Sequence, residues 1–192
     1  MGPSAYTACI NAVRLNYEQT VNSLAGIRIC TGYLYRHGPH FLYDWTSGNI
    51  LVAPFSGVNE STWEHMKLLF WPLFLFALVQ RPFFREQKNY WCVKLAEILL
   101  GLVLIPVLFY TFNGVFGKSS DWFNIAIFYI TALLVFLFER WVFKQDWLPC
   151  TRPQLAVFAI CLIGMLFVVF TFAVPQIPLF QDPLTGAYGI AS

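Results

Sequence analysis

Charge is what this chain has least of. Only 11% of its residues are Asp, Glu, Lys or Arg, against about 25% in ordinary soluble domains. From Pro153 to Gln181 there is none at all. A run of that length exceeds what a small soluble domain buries, and it suffices to cross a bilayer, for which roughly 20 apolar residues are enough. The charges that exist nearly cancel, to +2. The clustered Lys and Arg that phosphate recognition demands are missing, so no nucleic-acid partner is expected.

Other absences narrow the reading further. The cysteines, Cys9, Cys30, Cys92, Cys150 and Cys161, are odd in number and scattered. With no close pair, they argue against a zinc site, a redox dithiol or a disulfide framework, and read as small buried hydrophobes. Met1–Val13 has no basic n-region, so no cleavable signal peptide is expected. Tyr6 stands where a myristoylation signal wants Ser or Thr. No internal repeat is visible, which weighs against an inverted-repeat transporter. The apolar runs do not alternate in the manner of a membrane barrel.

Apolar residues make up 58% of the chain and aromatics 19%. They gather into four plain spans, at about 63–80, 91–116, 122–143 and 155–174. Apolar side chains surround these segments on nearly all sides, as helices facing both lipid and bundle require. Pro72 and Pro106 fall inside spans, which a membrane bundle tolerates. A fifth candidate, at 24–43, carries Arg28, Arg36, His37, Pro39 and His40, each expensive in hydrocarbon. It either spans or lies partly buried at the interface. The expected fold is an all-α integral membrane helix bundle, with a poorly defined segment at 1–23 and a single membrane-embedded domain at 24–192.

Sidedness follows from the loops. Arg81, Arg85 and Lys88 occupy the first connection, with Lys94 just beyond, and Arg140, Lys144 and Arg152 occupy the third. The positive-inside rule places the loops at 80–90 and 139–154 in the cytoplasm and the C-terminus outside. Trp91, Trp141 and Trp147 then fall at the inner boundary, and Trp45, Trp63 and Trp122 at the outer one.

One consequence is a collection of polar groups at the external face. His40, Asp44, Asn59, Glu60, Glu64, His65, Lys67, Asp121, Asn124 and Asp182 all come out there. The set is net acidic, which suits a cation or an amine. On a helix Glu60, Glu64, Lys67 and Trp71 would form one stripe, and two carboxylates a turn apart could hold a divalent ion. A metal, if any, would use Glu60, Glu64 and His65; no other cofactor is evident. The same residues also read as ordinary helix chemistry. Ser61 followed by Glu64 fits a capping box, Asn59 is a good N-cap, and Lys67 can pair with Glu64. Lys94 and Glu97, three apart, are expected to pair. Asn113 is expected to bond a neighbouring helix. The tail 178–189 carries turn chemistry at Asp182-Pro183 and Thr185-Gly186 and could fold back over the outer end or simply extend.

Several stretches are similar to the DUF6512 family, small uncharacterised prokaryotic multi-pass membrane proteins. These are His40-Phe-Leu-Tyr-Asp-Trp45, Phe55-Ser-Gly-Val-Asn-Glu-Ser-Thr-Trp-Glu-His-Met-Lys67, Trp91-Cys-Val-Lys94, Asp121-Trp122 and Asp182-Pro-Leu-Thr-Gly-Ala-Tyr-Gly189. The resemblance covers about His40 to Ile190. It implies a prokaryotic cell membrane and brings neither an activity nor catalytic residues. Family members usually place a plainly apolar helix before the His-Phe pair, where this chain has Arg28 and Arg36. Three roles fit: binding or transport of a cation or amine-bearing small solute, metal-assisted chemistry on a lipid or envelope precursor, or a structural subunit. Besides the lipid bilayer, the partner could be another membrane protein or a second copy of the chain.

Overall fold

The structure, a computed structural model, describes residues 43, 45–117, 121–145 and 148–190, with backbone alone for 121–125. The candidate span at 24–43 lies outside the described residues except for Tyr43, and so do His40 and Asp44. Four long helices follow one another: α1 (Thr62–Gln80), α2 (Tyr90–Phe116), α3 (Asp121–Gln145) and α4 (Pro153–Phe172). Short 3-10 turns stand at Ala53–Phe55, Arg81–Phe84 and Pro178–Phe180. Among the described residues the nearest thing to a sheet is an isolated bridge between Gln181 and Tyr188. Each helix has the length and hydropathy to cross a membrane. This is a multi-pass membrane protein.

Local chemistry sets the helix ends. Ser61 is extended, at φ −67° and ψ 154°, and its hydroxyl accepts the Glu64 N–H, so α1 starts at Thr62. Gly117, at φ +83°, closes α2 with its N–H on the Asn113 carbonyl. Pro153 opens α4, where its missing N–H costs nothing. Both α1 and α2 run unbroken through Pro72 and Pro106.

The second helix, α2, is the central one. It packs against α1, α3 and α4, while α3 and α4 make little contact with each other. Gly101 lets the three helices α1, α2 and α3 meet: a Cβ there would stand 2.8 Å from Leu69 Cδ2 and 3.3 Å from Val135 Cγ1. Gly164 plays the same part in α4, against the Phe70 ring. Phe70, Ile98, Leu102, Ile160 and Phe167 join α1, α2 and α4 in one core cluster. Leu68, Leu69, Ile105 and Phe128 fill another, between α1, α2 and α3. The outward faces remain apolar, with Leu99, Val103, Leu137, Phe158 and Met165 exposed where lipid belongs.

One expectation from the sequence is overturned. Cys92 and Cys150 are not two buried hydrophobes but a disulfide, with Cα atoms 5.8 Å apart. They lie 58 residues apart in sequence and meet because the α3–α4 connection returns across the start of α2. Cys161 is free and exposed on α4.

Candidate functional site

The N-terminus of α1 and the C-terminus of α4 meet at one end of the bundle, hereafter the tail end. Two stretches of irregular chain lie over it. The segment before α1 is pinned from below: Lys67 Nζ donates to the Ala53 carbonyl at 2.8 Å, and Trp71 Nε1 to the Pro54 carbonyl at 2.9 Å. The tail does fold back. Phe180 is buried and stacks on Trp63, 4.5 Å between centroids, and Trp63 in turn packs on Phe167 and Phe170. Asn59 Nδ2 donates to the Gly189 carbonyl at 2.9 Å, tying the two covering segments together.

Beneath this cover the expected acidic residues separate into distinct roles. Glu64 and Lys67 form a buried ion pair at 2.6 Å. Lys67 also donates to Thr171 Oγ1 on α4 at 3.3 Å, and Glu64 accepts the Val58 N–H at 3.0 Å. The capping box is therefore half made. Glu64 reaches the loop rather than the Ser61 N–H, which Asn59 Oδ1 accepts at 2.9 Å. Asp182 is buried in its own turn, where Oδ1 accepts the Leu184 N–H at 2.8 Å. Asp121 opens α3, and its side chain lies outside the described ones, as does that of Asn124.

Glu60 departs from its expected place. Because the helix begins at Thr62, Glu60 precedes it, and the stripe of acids one turn apart does not form. Glu60 instead lies beside His65, Oε2 to Nε2 at 3.6 Å, with 36% of its side chain exposed. His65 Nδ1 is 2.9 Å from the Ser61 carbonyl. That contact needs a proton on Nδ1. Nε2 faces the Glu60 carboxylate, as an acceptor when the ring is neutral and as a donor when it is protonated. The imidazole also lines a narrow cleft with Thr62, Ile105, Phe109, Ile127 and Phe128. Among the described residues no group of three or more His, Cys, Asp or Glu is placed to hold a metal ion.

The opposite end holds a second buried cluster that sequence reasoning saw in part. Lys94 pairs with Glu97 at 3.1 Å as expected, but it also donates to Gln80 Oε1 at 2.6 Å and to Glu139 Oε1. The ammonium thus joins three helices. It lies 5.6 Å from the centre of the Tyr90 ring, whose hydroxyl donates to the Ala77 carbonyl. Glu139 could have been found from the spacing of Phe128, Thr131, Val135, Glu139 and Val142, a buried stripe that carries one acid. Gln80 carried no such signal. Between the two ends lie the apolar side chains of Leu69, Ile98, Leu102, Ile105 and Val135. Asn113, expected to reach a neighbour, donates to the Phe109 carbonyl of its own helix.

Residues 16–190 match the model of DUF6512, a family of unknown function. The chain belongs to the DUF6512 family. No curated protein and no solved structure is detectably similar to it. Two of its ionic clusters are buried and paired within the fold, which suits fastening helices. The Glu60–His65 pair differs: it is partly exposed, and its imidazole lines a narrow, mostly apolar cleft.

Proposed function

We propose that this DUF6512 protein binds an amine-bearing small amphiphile at its tail end, with Glu60 and His65 holding the ammonium. The observation that carries the reading is the Glu60–His65 geometry. A carboxylate oxygen and an imidazole Nε2 stand 3.6 Å apart on a partly exposed rim. An ammonium has several donors and can bridge the carboxylate and the neutral form of the imidazole. The narrow cleft beside the imidazole is lined by Ile105, Phe109, Ile127 and Phe128, so the first carbons next to the ammonium meet an apolar wall. Glu64 and Lys67 hold the start of α1 in place, and Asn59 ties it to the tail; their part is to position Glu60 and His65.

Sidedness belongs to the same proposal. The basic residues Arg81, Arg85, Lys88, Arg140, Lys144 and Arg152 put the end opposite the tail in the cytoplasm. The Glu60–His65 rim then faces outward, where a ligand arrives from the outer leaflet or from solution.

The test uses purified protein in nanodiscs titrated with dodecylamine, with dodecanol as the uncharged control. Thermal stabilisation is expected with the amine, reduced at least tenfold in apparent affinity by Glu60→Gln and to a lesser degree by His65→Ala. Equal binding of amine and alcohol, or an unchanged affinity in Glu60→Gln, refutes the reading.

A further inference from the structure

The Cys92–Cys150 bond and the basic loops stand at the same end of the bundle. Cys92 lies in the first turn of α2, two residues before Lys94, and Cys150 lies two residues before Arg152. On the sidedness proposed above, this end is cytoplasmic. Disulfides there are rare in most organisms, and where they occur they are commonly transient and redox-sensing. A bond that ties an end so rich in Lys and Arg therefore calls for a role other than permanent bracing.

We propose that Cys92–Cys150 is a reversible thiol–disulfide site, opened by a cytoplasmic dithiol and closed by exchange with an oxidised small-molecule disulfide, which takes up the two electrons and leaves as two thiols. Three features support exchange at this bond. Both cysteines are half-buried, so a sulfur can be approached. Cys92 sits at the positive end of the α2 dipole, which favours negative charge on its sulfur and makes it the better leaving group. Cys150 lies in a connection rather than in a helix, so it can withdraw without breaking backbone ladders. One thiolate of the dithiol attacks Cys150 Sγ, the S–S bond breaks, and Cys92 leaves as a thiolate. The second thiol then resolves the mixed disulfide. The dithiol is oxidised by two electrons to its own disulfide, and Cys92 and Cys150 end as two thiols.

Opening the bond frees the segment at Leu148–Cys150 over the inner aromatic cluster. Leu148, just before Cys150, packs against the group formed by Phe84, Tyr90, Val93, Val142 and Phe143. Tyr90 in turn covers the Lys94 ammonium. The bond is thus placed to fasten or loosen the cover of the Lys94–Glu97–Glu139 cluster.

The experiment uses the full chain carrying C9S, C30S and C161S, so that only the pair reacts. Cells are acid-quenched and alkylated with a polyethylene-glycol maleimide, which adds two mass increments to the open form and none to the closed one. The closed fraction is expected to rise after diamide, to fall when diamide is removed, and to fall in inverted vesicles given a membrane-impermeant dithiol. A pair that never closes under diamide overturns the proposal, as does one that stays closed in both cells and inverted vesicles. A separate cysteine-free chain with Lys88→Cys reports sidedness through an impermeant maleimide. Labelling from outside sinks the sidedness and the proposal together. A reporter shielded from outside, with the pair permanently closed, sinks the proposal alone.

Discussion

Replacing Lys94 by Met tests whether the cluster at the basic end fastens the bundle. The methionine keeps the volume and removes the ammonium that Gln80 on α1, Glu97 on α2 and Glu139 on α3 all bind. Neutral hydrogen bonds between membrane helices average only about 0.6 kcal/mol. This cluster is different in kind, because Lys94 and Glu97 are fully buried and Glu139 nearly so. Removing one partner from a buried ionic group leaves charge without its counter-ion, at about 3–5 kcal/mol. The charged term therefore outweighs the neutral one, and Lys94→Met is expected to lose about 3–5 kcal/mol. The triple variant K94M/E97Q/E139Q removes the stranded charges and should recover most of that loss. Reversible unfolding in mixed micelles of dodecyl sulfate and a mild detergent measures both. A Lys94→Met protein as stable as the parent, or a triple variant no better than the single one, refutes the reasoning.

Two further substitutions probe packing. Gly101→Ala puts a Cβ 2.8 Å from Leu69 Cδ2 and 3.3 Å from Val135 Cγ1. Overpacking of about 1–3 kcal/mol, less about 0.5–1 kcal/mol gained by replacing a helical glycine, leaves a net loss of about 0–2 kcal/mol in the same unfolding assay, and clear stabilisation would show that Leu69 swings aside freely. Phe180→Ala removes the ring stacked on Trp63 and should release the tail. Cleavage of the tail by protease at low dose should rise at least tenfold while the helices stay intact, and unchanged protection would show that Asn59 and the turn at Asp182 hold it alone.

Much of the fold was legible because a bilayer demands little more than length and hydropathy from a span. The four helices begin and end within about two residues of the expected limits, since Ser61, Gly117 and Pro153 are local stop and start signals. The pairings of Glu64 with Lys67 and of Lys94 with Glu97 were legible too, because residues three apart on one helix must be neighbours. Other features depended on partners distant along the chain. Glu139 reaches Lys94 across 45 residues, and Cys150 reaches Cys92 across 58. The scattered cysteines looked unpaired because spacing along the chain carries no information about a returning segment.

The stripe of acids failed for a smaller reason, one residue of helix register. With Ser61 as N-cap, Glu60 falls outside α1, so it turns toward His65 and not toward Glu64.

The sequence by itself determined that this chain lives in a membrane, how many plain spans it has and where each one stops. Those properties follow from free energies of transfer and from caps, which are local. Tertiary structure alone decided which charges are buried fasteners and that Glu60, beside His65, keeps an exposed face. A side chain's role depends on what packs against it, and in this bundle those neighbours come from other helices.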